Sequence, residues 1–464
     1  MLKKSLIASF FISLPVVLYL LIIILPTFDD WTYITSPYFG NALAADRILP
    51  WNGYWRPFDA LIGSLLGLDY RLFPALNHAL ILLGHAVSTY LVYRLAHRHI
   101  LPAAFFFLSP GMLGAVLDID SANQVFSTCW GLASLLLYSK GRKWQWMACV
   151  IIATFCKENG IMYAVIPPII SYGSESSMKN IRPYVRDMVP MAVLVGIYGV
   201  ARIMLTSADN AVLDDYLNVS MMDHAKDIVQ YVSFTWIALD FESVVYPPTR
   251  CMPLAIATAL LSLPFLLLLA KGAWARRREK MHYVLLAAYF IAAAPHLLTL
   301  VSLMHVYSGL PFAALIIDRC YDRKTSWQRL AIAAFFVAAA ITDIHHWHEA
   351  YQSGLAGKEM AEDVISKSKT KPQSVFILNI DNGEEKYSTI NVIPRDAFGW
   401  GRAARHYSGY AMANEISDTT ILAPASATAM QKLTASMADS IAATHAYDAF
   451  WVVDGKKVEI VFEK

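Results

Sequence analysis

Eleven apolar stretches, at about 5–25, 72–95, 100–117, 122–138, 144–157, 159–172, 188–206, 251–270, 282–301, 303–318 and 327–342, dominate the chain as far as residue 342. A helix rising roughly 1.5 Å per residue crosses the roughly 30 Å hydrocarbon core of a bilayer in about 20 apolar residues, so such a chain belongs in a membrane. Charge agrees: Asp, Glu, Lys and Arg make up 16% of 464 residues, against about 25% in an ordinary soluble domain. Behind Lys3-Lys4, the run Ser5 to Leu25 is too long for the core of a secretion signal, and no small-residue cleavage site follows it. It reads as a retained anchor. A net charge of +2, without helix-turn-helix, zinc-finger or RNA-binding signatures, argues for no nucleic-acid partner. The five cysteines are scattered and include no C-x-x-C, which indicates neither a disulfide framework nor a zinc site.

Basic residues cluster in alternate gaps between the apolar runs, and this asymmetry orients the chain. Lys3-Lys4, Arg94/Arg98, Lys140/Arg142/Lys143, Lys179/Arg182/Arg186, the Lys271 to Lys280 group and the Arg319 to Arg329 group total nineteen, against five in the opposite loops. The expected topology is multi-pass in a cell (inner) membrane, with a cytoplasmic N-terminus and an extracytoplasmic, periplasmic C-terminal segment. One hairpin is too short: the halves on either side of Lys157-Glu158-Asn159-Gly160 have about fourteen residues each, or about 21 Å. Their polar tip should therefore lie in protein or in a water-filled cavity, as broken membrane helices do.

The last segment differs in kind. Gln373–Ile380 predicts a buried strand, Ser426–Ala443 an amphipathic helix, and Phe450–Val453 with Lys457–Phe462 a hairpin around Asp454-Gly455, a type I′ pair. The expected fold class is thus an α-helical polytopic membrane protein of about 11 transmembrane helices over 1–342, a linker over 343–371, and a small extracytoplasmic α/β domain over 372–464.

Chemistry has few candidates. Asp29-Asp30 follows the first span; paired carboxylates near a low-dielectric boundary repel one another, which raises one pKa and equips a general base. A helix cap or solvated loop is the plain alternative. In the same loop, the run Trp51 to Asp59 holds Trp55, Arg56 and Asp59. Guanidinium forks onto phosphate and aromatic rings pack on sugar faces, although an interfacial anchor has the same composition. Lys157-Glu158 is an ionisable pair at membrane depth, either functional or an ion pair closing the helix break. Asp118-Ile119-Asp120 matches the D-x-D of nucleotide-sugar transferases, but no nucleotide-binding domain surrounds it; positioning an acceptor or a solvated loop remain. His305 and Tyr307 stand beside a short turn where either could donate to a phosphate oxygen, and Arg202 either reaches a lipid phosphate or snorkels. In His345-His346-Trp347-His348-Glu349 neighbouring imidazoles splay apart, so a metal site is not indicated there.

Taken in order, Asp29-Asp30-Trp31-x-Tyr33, Trp55-Arg56-Pro57, Asn123 after Asp120, Lys157-Glu158 and His305-Val306-Tyr307-Ser308-Gly309-Leu310-Pro311 resemble the GT-C superfamily of integral-membrane glycosyltransferases. The branch they are most similar to is bacterial, related to protein O-mannosyltransferases and O-antigen-modifying glucosyltransferases. The resemblance covers roughly residues 1–342. It implies transfer of a sugar, with inversion, from a polyprenyl-phosphate donor to an acceptor hydroxyl outside the cytoplasm, in modification of O-antigen, lipopolysaccharide or a similar cell-envelope glycan. The implied roles are Asp29 or Asp30 as base, and Lys157, Arg56, Arg202, His305 and Tyr307 around the lipid phosphate. Trp31, Trp55, Asp59, Asp118, Asp120 and Glu158 would contact acceptor or sugar. The relatives' late motif commonly reads Arg-x-x-Tyr where this chain has His305. No cofactor is required, since basic residues neutralise a single phosphate; a divalent cation is compatible with this chemistry but not indicated. Expected partners are the lipid-linked donor, a glycan, lipid or protein acceptor, and membrane lipids. Two other classes stay open: an O-antigen ligase or polymerase using diphosphate-linked glycans, and a lipid-linked-sugar flippase, against which the single clear break and lack of a convincing repeat argue.

Overall fold

The computed structural model describes residues 23–35, 55–59, 61–62, 76–174, 181–205, 221–240, 251–297, 302–322, 325–383, 390 and 392–464. Most of the expected anchor at 5–25 and most of the loop before residue 55 lie outside these residues. The helices are α1 (Leu76–Leu95), α2 (Ile100–Leu108), α3 (Ala122–Ser139), α4 (Lys143–Cys156), α5 (Ile166–Ser174), α6 (Arg182–Leu205), α7 (Met221–Trp236), α8 (Met252–Ala275), α9 (Lys280–Leu297), α10 (Leu310–Cys320) and α11 (Ser326–Lys367), with short turns of helix between them.

Among the described residues three helices are long and apolar enough to cross a membrane: Arg182–Ala201, Met252–Ala275 and Ser326–Lys367. The first shows how lipid replaces protein as the partner. Val185, Val189, Val193, Ile197, Val200 and Met204 lie three or four residues apart and all are exposed, a continuous apolar stripe on one helix face. Leaving such a stripe in water costs roughly 25 cal/mol per Å², and hydrocarbon removes that cost.

Of the other apolar runs, α1 is a continuous helix of 20 residues and α3 and α9 are continuous over 18 each, while two are interrupted, so the described residues do not confirm a count of about eleven spans. The run at 100–117 breaks at Ser109-Pro110 into α2 and short turns, and the run at 303–318 begins as the 3₁₀ turn Leu303–Ser308 before α10. The break after α4 has a steric cause. A Cβ on Gly160 would sit 2.2 Å from the Ala153 carbonyl carbon, so the 3₁₀ turn Glu158–Ala164 folds back on α4 more closely than any side chain permits.

The expected linker at 343–371 is instead helical as far as Lys367, because α11 continues unbroken out of its apolar half. Good helix formers carry it, and its buried residues, among them His346, Ala350, Ser353, Gly357, Met360, Ala361 and Val364, recur at helical spacing. Gly357 lets it pass under the turn Pro394–Ala397, where a Cβ would come 2.2 Å from the Ala397 carbonyl oxygen.

Beyond α11 a four-stranded sheet forms, β1 (Ser374–Asp381), β2 (Glu415–Leu422), β3 (Ala449–Asp454) and β4 (Lys457–Glu463), in the order β2-β1-β3-β4. β2 and β3 run parallel to β1, and β4 is antiparallel to β3. The strand, helix and hairpin expected there are present; α12 (Ala427–Thr444) starts where Ser426 Oγ accepts the Ala429 amide at 3.2 Å. Asp454 pairs with Lys457, so the turn residues are Gly455 and Lys456, and of these only Gly455 has positive φ, +54°. That is the type II′ pattern, not the expected I′. β2 was not expected, since its exposed, polar sequence EISDTTIL is that of an edge strand.

One face of the sheet packs on α12 through Leu378, Ile380, Phe450, Val452 and Ile441. The other packs on the end of α11 and on Trp31, through Val375, Ile377, Trp451, Met360 and Val364. Trp31 is fully buried and its indole N–H donates to the Ala397 carbonyl at 2.9 Å. Trp31→Ala is therefore expected to cost about 3–5 kcal/mol. The measurements are a lower Tm in detergent and faster proteolysis of the C-terminal domain.

Candidate active site

The short helix Asp30–Thr35 begins at the junction between the helical bundle and the C-terminal domain. Asp30 is buried, and both its oxygens are committed: Oδ2 accepts the Thr27 amide at 3.1 Å and Oδ1 the Asp120 amide at 2.9 Å. Burial first, and Asp120 second, push its carboxyl well above the ordinary range, while those amides pull it back. Asp30 is thus a staple joining the 27–30 turn to the Asp118–Asp120 turn.

Asp29 is half-buried beside it and lines a small pocket with Thr27, Phe28, Asp30, Asp118, Asp120 and Met304. Burial, then repulsion from Asp120, push its carboxyl from the usual 3.8 up to about 7; Arg402 opposes the shift and Asp396 adds to it. Asp120 is itself raised by burial, with Lys157, Ser121 and Arg56 pulling it down. Carboxylates this close keep a proton among them near neutral pH.

Behind Met304 stands Lys157. Its ammonium is buried, 4.0 Å from Met304 Sδ, and among the described residues no carboxylate lies within ion-pair distance of it. Glu158 does not pair with Lys157 but turns to Arg56, which forks onto it with contacts of 2.9, 2.9 and 2.6 Å. The ion pair closing the helix break is therefore Arg56–Glu158, made from the first loop. Asp59 is also buried. Behind the break Ser127 Oγ donates to Asn159 Oδ1 at 3.2 Å, and the Asn159 amide meets His296 Nε2 at 3.2 Å. His296 stacks on His305 at 4.4 Å between centroids.

The other expected residues divide. Asp118 lines the pocket, and His305 stands beside it in the turn that carries Met304, with Nδ1 accepting the Ser302 amide at 3.1 Å. Trp55 lies flat on Tyr198 of α6, 5.6 Å between centroids and 7° apart, so one ring face is already covered. Arg202 lies on α6, but its side chain is outside the described residues. Two placements differ from expectation. Tyr307 is not at a surface: its hydroxyl meets His85 Nδ1 at 2.8 Å and its ring packs on Phe106 in the bundle core. Trp31 is a docking residue under the sheet, with no face left for a sugar.

Sequence reasoning missed what the C-terminal domain brings. Phe28 donates its amide to the Asp396 carbonyl at 2.9 Å and its ring meets Trp400 at 5.3 Å. Trp400 sits between Gly399 and Gly401 with φ of +50°, a conformation a bulky residue adopts only when its surroundings hold it. Arg402 lies over the Trp400 ring and faces Asp29. The Gly-Trp-Gly triplet was the one sequence signal available.

No protein-family profile matches the chain, and no curated protein does. Among solved structures it is similar to the crystal structure of ArnT from Cupriavidus metallidurans bound to undecaprenyl phosphate, at 10% identity over 98% of this chain and 97% of that one, with a TM-score of 0.49.

Proposed function

We propose that the protein is a GT-C-type glycosyltransferase that moves a sugar from a polyprenyl-phosphate carrier to an acceptor hydroxyl. The observation that carries this is the shared wall at Met304: on one side Asp29 with a proton affinity near neutral, on the other a buried ammonium with no carboxylate in ion-pair range among the described residues. A base that titrates near 7 accepts a proton from a hydroxyl as bond formation acidifies it, and a buried cation stabilises a departing phosphate.

In this reading Asp29 takes the acceptor proton while the acceptor oxygen attacks the anomeric carbon. The carbon–oxygen bond to the phosphate breaks, its electron pair leaves with the polyprenyl phosphate, and the configuration inverts. Lys157 meets the developing charge, and Arg56, fixed by Glu158, adds to the field. Asp30 and Asp120 hold the turn that presents Asp29, and Asp118 borders the pocket where the acceptor lies. Phe28 lines that pocket, with Trp400 against its ring and Arg402 over Trp400, which supports a part for the C-terminal domain in acceptor binding. The distribution of basic residues supports a site on the extracytoplasmic face, and we assign the acceptor to the cell-envelope glycans.

The test uses purified protein in proteoliposomes with polyprenyl sugars linked through one phosphate or two. Glycosidic-bond formation from the monophosphate donor is expected. Transfer from the diphosphate donor alone would assign a ligase or polymerase, and translocation without bond formation a flippase.

A further inference from the structure

A second polar cluster lies apart from the site just described, where α11 leaves its apolar half. Asp240 reaches it from the segment after α7. That segment is strapped on both sides: the Ala238 and Asp240 amides donate to Ser262 and Thr258 of α8 at 3.1 and 3.2 Å, and Thr342 of α11 donates to the Ala238 carbonyl at 3.2 Å. The Asp240 carboxylate is fully buried between His345 and His346. Adjacent imidazoles on one helix point apart, but here the carboxylate enters between them and both converge on it.

The distances are compatible with a common ion. His346 Nε2 is 3.2 Å from Oδ1, and His345 Nδ1 is 2.8 Å from Oδ2. The second contact, despite its length, is not aligned as a hydrogen bond. One ligand atom from each of the three residues lies within 4.8 Å of the others. Nitrogen and oxygen ligands at about 2.0–2.2 Å around a tetrahedral zinc stand roughly 3.3 Å apart, so these atoms need only a small rearrangement to share one. On the far side of the His345 ring, Nε2 is 3.7 Å from Glu349 Oε1, one turn along α11. A carboxylate there is placed to orient the ring, the role carboxylates take behind metal-bound histidines. His348, in the same stretch, is exposed and faces away.

We propose that Asp240, His345 and His346 bind a divalent cation of the zinc class, oriented by Glu349, and that the ion ties the segment after α7 to α8 and to the start of the arm that carries the C-terminal domain. The ligand set is two nitrogens and one oxygen, which suits zinc over magnesium or calcium.

The experiment uses the full-length protein in detergent, stripped with a chelator and titrated with Zn²⁺, then with Co²⁺, whose visible absorption reports tetrahedral nitrogen and oxygen ligands. Retention of one equivalent and a zinc-dependent rise in Tm are expected for the wild type and for H348A and C251S. D240N and H346Q should lose both, and E349Q should bind about 10–100-fold more weakly. Two variants at different elements guard against one failing to fold, checked by gel filtration. No stoichiometric retention by the wild type, or retention unchanged in a folded D240N or H346Q, overturns the proposal.

Discussion

Asp29→Asn is expected to reduce sugar transfer by about 10²–10⁴-fold, the usual contribution of a positioned general base, while leaving the protein folded and able to bind polyprenyl phosphate. Wild-type activity should rise with pH through about 7, because the carboxylate must be unprotonated to accept the acceptor proton. Stability gives an independent reading of the same group. Its folded pKa lies above the usual 3.8, so the native state holds a proton that the unfolded chain releases, and native stability falls as pH rises from about 4 to about 7. D29N escapes that loss. Its Tm should exceed the wild type's at pH 8, and the difference should close as pH falls through 7 toward 4. Full transfer by D29N would remove Asp29 from the reaction. Asp30→Asn should behave differently: an NH₂ group would face one of two amides that now donate to Asp30, so stability falls along with activity.

Lys157→Met is expected to reduce kcat/KM for the lipid-linked donor by about 10²–10³-fold, the scale of losing one group that stabilises developing negative charge. The substitution keeps the length of the side chain and removes a buried cation that, among the described residues, has no carboxylate within ion-pair distance. The folded protein should therefore be no less stable, and protection of Tm by undecaprenyl phosphate should disappear. D29N keeps that protection. Together the two variants separate the base from the phosphate site; protection that persists in K157M would place the lipid phosphate elsewhere.

Some of the architecture was legible because one-dimensional patterns report it directly. The Lys-Glu-Asn-Gly interruption signals a broken helix, and Gly160 does make the close turn. The C-terminal strand, helix and hairpin announce themselves through periodicity and Asp-Gly. Two elements escaped for physical reasons: β2 is an edge strand with little apolar surface to pattern, and α11 beyond residue 342 carries charge on one side and buries small residues on the other. The site was legible as a set of unusual residues but not as a geometry. Trp31 has the composition of a sugar platform and the position of a docking wedge. Tyr307 reads as a donor to phosphate, yet its hydroxyl is satisfied inside by His85. Asp240 carried no signal until the fold set it between His345 and His346.

By itself, then, the sequence determined the solvent: too many apolar runs and too few charges for water, with the basic residues sorted by side. It also determined the short roster of polar residues that must be explained, because each is expensive in that setting. Tertiary structure decided which of them are free to act. Asp30 spends both oxygens on backbone amides, Glu158 spends its charge on Arg56, and Trp31 spends both faces on packing. Asp29 remains at the pocket, and Lys157 stands behind its Met304 wall. That division depends on residues distant in sequence arriving at hydrogen-bonding distance, and no local pattern of side chains encodes it.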